Sequence, residues 1–291
     1  MLNEKNTWQD YALLDAGNGE KIERWKDVIL RRPDPQAIWP INTHAKTYKN
    51  VDAIYHRSSK GGGHWEYIHQ IPEAWTIHYR NLTFRISPTG FKHTGLFPEQ
   101  AKNWDWMMDL ISKHKDEDLR ILNLFAYTGG ATLAASSAGA QEVVHVDAAK
   151  GMVEWAKTNR DLSHLQDHKI RFIVDDCLKF VEREKRRGRT YHGIIMDPPS
   201  YGRGPSGEMW KFEKEIVKLI DACLEIFDED GLFFLINSYT TGISAVALEM
   251  LMKSTIQERL GKGTVESLEL TIPMEERDLV LPCGVSGRWQ R

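Results

Sequence analysis

Two carboxylates carry the first chemical signal in this sequence. Asp147 closes the apolar run Val143-Val144-His145-Val146, and Asp197 closes Gly193-Ile194-Ile195-Met196. An acid at the end of a buried strand, 18 residues after Gly129, can accept hydrogen bonds from both hydroxyls of a ribose. Asp175-Asp176 ends a third run, Ile170 to Val174, and either acid could accept from an adenine amino group or cap the helix that follows. After Asp197 come Pro198-Pro199-Ser200-Tyr201. Two prolines directly after a buried strand stop the ladder and fix a rigid turn. The Asp197 carboxylate and the Pro198 carbonyl then stand out as paired acceptors for an N–H donor of a planar substrate, with Tyr201 to stack on its face.

These residues need elements that bring them to one place. Ile121 to Asp147 reads as strand, glycine turn, helix, strand, acid. The turn is Phe125-Ala126-Tyr127-Thr128-Gly129-Gly130, and its glycines would let backbone approach a ligand without a Cβ in the way. Helices are expected from about Lys150 to Leu162, Leu178 to Arg187, Met209 to Phe227 and Ile243 to Leu260. The EREKRRGR end of the second reads as a solvated face or, alternatively, an RNA-facing patch. A strand is expected at Gly231 to Asn237, and two more at Glu266 to Ile272 and Ser286 to Gln290. Buried strands alternating with helices imply an α/β fold: a Rossmann-like, mostly parallel sheet with an antiparallel C-terminal edge hairpin. The four candidate positions would then share the carboxyl edge of the sheet, where such folds bind ligands.

Residues 1–93 differ in kind and read as a small, mainly antiparallel β subdomain, leaving 94–291 as the second domain. Asp52 to His56 and Trp75 to Tyr79 alternate as strands, with turns at Gly17-Asn18-Gly19, Gly61-Gly62-Gly63 and Pro88-Thr89-Gly90. Between Arg31 and His93 stand nine Lys/Arg against four Asp/Glu, interleaved with Trp39, Tyr48, Tyr55, Trp65, Trp75 and Tyr79. That pattern fits either a nucleic-acid surface or a small aromatic core with solvated charges. Phe97 to about Lys113 reads as an amphipathic helix and His114 to Asp118 as a charged linker.

Composition limits the alternatives. The net charge of −3 gives no global reason to bind nucleic acid or membrane, so any such surface must be local. Three cysteines without a CxxC pair argue against a disulfide framework or thiolate zinc site and suit a reducing cytoplasm. No apolar run approaches the length of a membrane span, which predicts a soluble protein. His64-Trp65-Glu66 with His69 is not HExxH, and no metal is expected.

NLFAYTGGAT, HVDAAKGMVEWAKTN, VDDCLKFVE and MDPPSY together resemble class I S-adenosylmethionine-dependent methyltransferases, most closely the large-subunit ribosomal RNA group with a DPPxF/Y motif. KHTGLFPEQ resembles the KTGxFxDQ segment that precedes the catalytic domain in that group. The resemblance covers about Lys92 to Tyr239. It implies S-adenosyl-L-methionine as cofactor, with Phe125 to Gly130 at its methionine portion, Asp147 and Ala148 at the ribose, and Asp175, Asp176 and Cys177 at the adenine. Gln100 would close over it, and Asp197 to Tyr201 would hold the methyl acceptor in a ribosomal RNA substrate. Asn123 departs from the acid common in the first strand, and Phe125 and Tyr127 fill places often given to small residues. Asn237-Ser238-Tyr239-Thr240 stands where cytosine-C5 enzymes carry a nucleophilic cysteine, which favours a nitrogen or oxygen acceptor. A small-molecule or protein methyltransferase, a nicotinamide oxidoreductase and a non-catalytic RNA-binding protein are the competing readings. The oxidoreductase lacks GxGxxG and leaves Asp197-Pro198-Pro199 unexplained. Oligomeric state is not legible.

Overall fold

A computed structural model of the chain describes residues 7–58, 62–90, 92–115, 117–203 and 209–291. Gly61 of one expected turn, Asp116 of the charged linker and residues 204–207 of the Gly/Pro-rich loop lie outside them. The chain forms two compact units: residues 1–101 with 271–283, and 102–270 with 284–291.

In the first unit, strands β1 (Tyr11–Gly17), β2 (Glu20–Trp25), β3 (Val28–Pro33), β4 (Ala53–Arg57) and β5 (Gly63–Tyr67) form one sheet in that order. All its pairs are antiparallel except β3 with β4. Asn18 and Gly19, both at positive φ, make the tight turn between β1 and β2. That turn shape matches the twist of the strands it joins. A separate hairpin, β6 (Trp75–Tyr79) and β7 (Leu82–Ile86), completes the unit's strands upstream of residue 101.

The second unit holds helix α1 (Ala101–Lys113, whose first residue falls in the other unit), then β8 (Arg120–Leu124), α2 (Gly130–Ser137), β9 (Glu142–Asp147) and α3 (Lys150–Leu162). There follow β10 (Ile170–Val174), α4 (Cys177–Arg186), β11 (Gly193–Met196), β12 (Tyr201–Arg203), β13 (Met209–Lys211), α5 (Phe212–Leu224) and β14 (Phe233–Ser238). Helix α6 (Ala245–Met252) runs into a π-helical turn at Lys253–Gln257, so the continuous helix expected over 243–260 is interrupted. Strands β15 (Thr264–Pro273) and β16 (Val280–Gln290) end the fold.

The main sheet has the order β10-β9-β8-β11-β14-β16-β15. Its first five strands are parallel, and β16 runs antiparallel to β14. The Rossmann-like sheet with antiparallel edge strands expected from the pattern is therefore present. Successive residues of a strand face opposite sides. Leu122, Leu124, Val144, Val146, Ile194, Met196, Phe234 and Ile236 pack on one side with α4, α5 and α6. On the other side Thr132 of α2 meets Asn123 and His145. The chain lays β8, β9 and β10 outward in one direction, then returns to place β11 on the free side of β8. That reversal opens a crevice at the carboxyl ends of β8 and β11.

Candidate active site

Leu124, Val146, Ile173 and Met196 lie side by side across four parallel strands. One residue further on, Phe125, Asp147 and Asp197 line the carboxyl edge, and Asp175 follows Val174 on β10. The sheet thus gathers every second-unit candidate at one end. Gln100 belongs to the first unit, where it is buried in a single 3-10 turn, Pro98–Gln100.

The turn after β8 is an uncommon one. Phe125 (φ 54°) and Tyr127 (φ 50°) are left-handed without being glycine, and Gly129 (φ 90°) follows. Such residues cost on the order of 1–3 kcal/mol each and persist where the surroundings over-determine them. Here Phe125 N–H donates to Cys177 Sγ (3.4 Å), Ala126 N–H to the Val146 carbonyl (3.1 Å) and Tyr127 N–H to Asp147 Oδ2 (2.9 Å). The Asn159 amide donates to the Thr128 carbonyl (2.9 Å). The glycines serve the protein's own packing. A Cβ on Gly129 would lie 3.0 Å from Ala156 Cβ, and one on Gly130 would lie 2.5 Å from the Trp104 ring.

Asp147 is oriented by two backbone donors, Tyr127 N–H on Oδ2 and Ala149 N–H on Oδ1 (2.8 Å). Burial raises its pKa above the ordinary carboxylate value, and the two N–H groups pull the other way. Each oxygen keeps lone-pair capacity for a ligand hydroxyl. Ala148 is exposed beside it. Asn123 is buried and donates to Thr132 Oγ1 (2.9 Å), which meets His145 Nδ1 (2.9 Å). Burial holds His145 neutral, pushing its pKa down to about 3. The amide therefore pins α2 to the sheet.

Asp176 caps α4, accepting from Lys179 N–H (2.9 Å). Asp175 accepts from Asp176 N–H (2.8 Å) and is ion-paired with Arg183. Cys177 is buried behind the Phe125 turn, its thiol pushed up by that burial.

Asp197 N–H donates to the Leu124 carbonyl (3.3 Å) at the head of the DPP turn. Pro198 is buried, Pro199 exposed, and Tyr201 is 52% exposed, with its hydroxyl on Met209 Sδ (3.1 Å). The helix expected from Met209 starts instead at Phe212; Met209–Lys211 pairs antiparallel with Tyr201–Arg203. The hairpin forms because Trp210 Nε1 donates to the Pro199 carbonyl (2.6 Å) and its ring packs on Phe125 (5.2 Å between centroids). Phe212 N–H then holds the Ser200 carbonyl (3.1 Å), and Thr240 donates to Ser200 Oγ (3.0 Å). Trp210 and Thr240 were not among the sequence candidates. A tryptophan just past a Gly/Pro-rich loop was the one available signal.

Asn237, aligned with Asp197 across β11 and β14, is buried and accepts from Asn103 (2.9 Å) and Ser286 (2.8 Å). Cys223 and Cys283 are both raised by burial, so none of the three thiols is poised as a thiolate.

In the first unit most indoles are structural. Trp39 donates to the Ala16 carbonyl, Trp65 to Thr89 and Trp75 to Trp25. Tyr48 stacks on Arg31 and reaches Glu20. Glu66 meets His56, and His69 meets Asp52, so the HWE and His69 residues go to separate partners. No described helix is long and apolar enough to cross a membrane.

Residues 42–279 match a family described as S-adenosylmethionine-dependent methyltransferases. A SAM-dependent methyltransferase from Agrobacterium tumefaciens is 36% identical, with a TM-score of 0.92 over 98% of this chain and 92% of that one. A structure of a methyltransferase complexed with SAH shares the fold: 20% identity and a TM-score of 0.72, over 98% of this chain and 76% of the other. The ribosomal RNA large subunit methyltransferase K/L of Colwellia psychrerythraea is 27% identical over 234 residues, 80% of this chain and 30% of that protein. The chain spans about a third of the length of the curated relatives it matches. It belongs to the S-adenosylmethionine-dependent methyltransferase family, and S-adenosyl-L-methionine is its cofactor.

Proposed function

We propose that this enzyme methylates a base of ribosomal RNA, at a nitrogen rather than at cytosine C5. The observation that carries the reading is the alignment of Asp147 and Asp197 on the two strands flanking β8, with the Phe125 turn between them. Two strand spacings separate them by about 10 Å. A carboxylate held by two N–H groups at one end suits a ribose, and the turn suits the sulfur end. Bound S-adenosylmethionine supplies an activated sulfonium methyl, so in-line displacement needs alignment more than acid–base help. Asp197 and the Pro198 carbonyl accept the N–H of the target base, and Tyr201, half in solvent, covers its face. The absence of a ready thiolate among the three cysteines supports nitrogen over C5. The ribosomal RNA assignment draws on what the curated relatives are named for.

The first unit supplies support of a local kind. Arg57 and Lys92 have no ion-pair partner among the described residues, whereas Lys21 is paired with Asp34 (3.2 Å) and Arg32 with Glu23. Burial, then Lys21, lowers the Lys92 pKa. Positive charge without a partner suits a phosphate. The test is transfer of labelled methyl from S-adenosylmethionine to unmodified large-subunit ribosomal RNA transcribed in vitro. Wild type should label it, and Asp197→Ala should be slower by about 10- to 100-fold, the loss of one charge-assisted hydrogen bond. For Lys92→Met, the slope of log affinity against log salt should fall by about 0.7–0.9, one phosphate contact. Label appearing only in small molecules or protein would overturn the RNA assignment.

A further inference from the structure

Trp210 touches both turns of the site. Its indole N–H holds the Pro199 carbonyl at 2.6 Å, inside the acceptor turn. Its ring packs on Phe125 at 5.2 Å and 53°, inside the cofactor turn. Those turns flank the crevice between β8 and β11, the point where the sheet reverses direction. Trp210 is only half-buried, so it is not an ordinary core residue. The hairpin that carries it has two strands of three residues. Such a hairpin is marginal alone and depends on what its side chains grip. Phe125 is in turn fixed by a left-handed backbone whose N–H is taken by Cys177.

We propose that Trp210 is a positioning residue that couples cofactor occupancy of the Phe125 turn to the geometry of the acceptor turn, Asp197 to Tyr201. The proposal rests on the assignment of cofactor and acceptor to those turns. A ligand seated on the Phe125 turn restricts the phenyl ring. Trp210 then loses freedom, and its N–H holds Pro199 in one orientation. The acceptor face is thereby built when the methyl donor is present. Such a coupling is reciprocal: acceptor binding tightens cofactor binding by the same factor.

The exchange measurement needs no acceptor. Amide hydrogen exchange over residues 200–203 and 209–212 is followed with and without S-adenosylhomocysteine in wild type, Trp210→Phe and Trp210→Leu. Wild type should show ligand-dependent slowing of about 5- to 150-fold, the usual range of a coupling between sites. Trp210→Phe keeps a ring against Phe125 and loses the N–H. It should bind S-adenosylhomocysteine as wild type does, by thermal shift, yet lose the slowing at 200–203. Trp210→Leu should lose both the slowing and part of the thermal shift. With labelled S-adenosylmethionine and ribosomal RNA transcript, Trp210→Phe should lower kcat and, at saturating RNA, raise KM for the cofactor by the lost coupling factor. Stabilisation of wild type without slowing, or full slowing in Trp210→Phe, would overturn the coupling and leave the cofactor assignment standing. No stabilisation of wild type by S-adenosylhomocysteine would overturn both. If the exchange result holds and the RNA takes no methyl, the coupling stands and the RNA assignment fails.

Discussion

Asp147→Ala should weaken S-adenosylhomocysteine binding at least about 100-fold. On the proposed ribose role, two charge-assisted hydrogen bonds of about 1.5–3 kcal/mol each would be lost. The substitution also strips the acceptors from Tyr127 N–H and Ala149 N–H, so the left-handed turn loses one of the bonds that hold it. Asp147→Asn is the sharper variant, because it keeps the shape and one acceptor oxygen. Its amide must point two hydrogens toward a backbone N–H, so it should also bind poorly. The pH dependence follows from the same carboxylate. Burial raises its pKa in the free protein, despite the two N–H donors. In the proposed role ribose hydroxyls would donate to the ionised form, so affinity should fall as pH drops through that raised pKa, above the ordinary aspartate value of about 3.9. Stability runs the other way. A raised folded pKa means the folded state takes up the proton first, so this group favours folding at low pH and loses that contribution as pH rises. Calorimetric titration across the acid range separates the two. An Asp147→Ala affinity within threefold of wild type, or a flat acid limb, would sink the ribose role.

The parts of this site that could be read from sequence are those built from neighbours in the chain. Strand, turn, helix, strand and acid between Ile121 and Asp147 are all local signals, and the parallel sheet then aligns Asp147 with Asp197 without further instruction. What was hidden depends on distant partners. Met209-Trp210-Lys211 has nothing in its own composition that forbids a helix; Phe125 and Pro199 pull it into a hairpin. The reason for Gly130 was also hidden, since it is Trp104 on α1 that needs the space. The EREKRRGR segment reads as a solvated face, yet Glu184 within it is fully buried. It accepts from Tyr191 (2.6 Å) and Arg187 (2.7 Å), a partnership invisible to a charge count. The aromatics of the first unit fit two readings in the sequence, a base-stacking surface or a small aromatic core. In the structure Trp39, Trp65 and Trp75 spend their N–H groups on carbonyls of their own unit, a partnership that spacing does not show.

Arg32→Ala should destabilise the first unit by about 3–5 kcal/mol, the cost of leaving a buried charge without its partner. Glu23 is fully buried, and Arg32 grips it with two nitrogens while Tyr11 donates to Oε1 (2.9 Å). Burial alone would raise the Glu23 pKa, but Arg32 and Lys21 outweigh it and the net shift is downward. The sign follows directly. A lowered folded pKa gives stability that is fully present above the unfolded value of about 4.3 and is lost as pH falls through the folded one. Wild type should therefore soften in acid below that value, and Arg32→Ala should lose much of this dependence because Glu23 no longer needs to stay ionised. The double variant Arg32→Met, Glu23→Leu separates charge from packing. Removing both partners should recover most of the stability that Arg32→Ala loses. The third nitrogen of Arg32 donates to the Lys92 carbonyl (2.6 Å), which fixes the segment that carries Lys92. The double variant should thus fold well and still show the reduced salt dependence of RNA binding expected for Lys92→Met. Denaturant unfolding from pH 3 to 8 measures the first effect, and RNA titration at two salt concentrations the second. Recovery of stability with a wild-type salt slope would show that Arg32 holds the fold without placing Lys92.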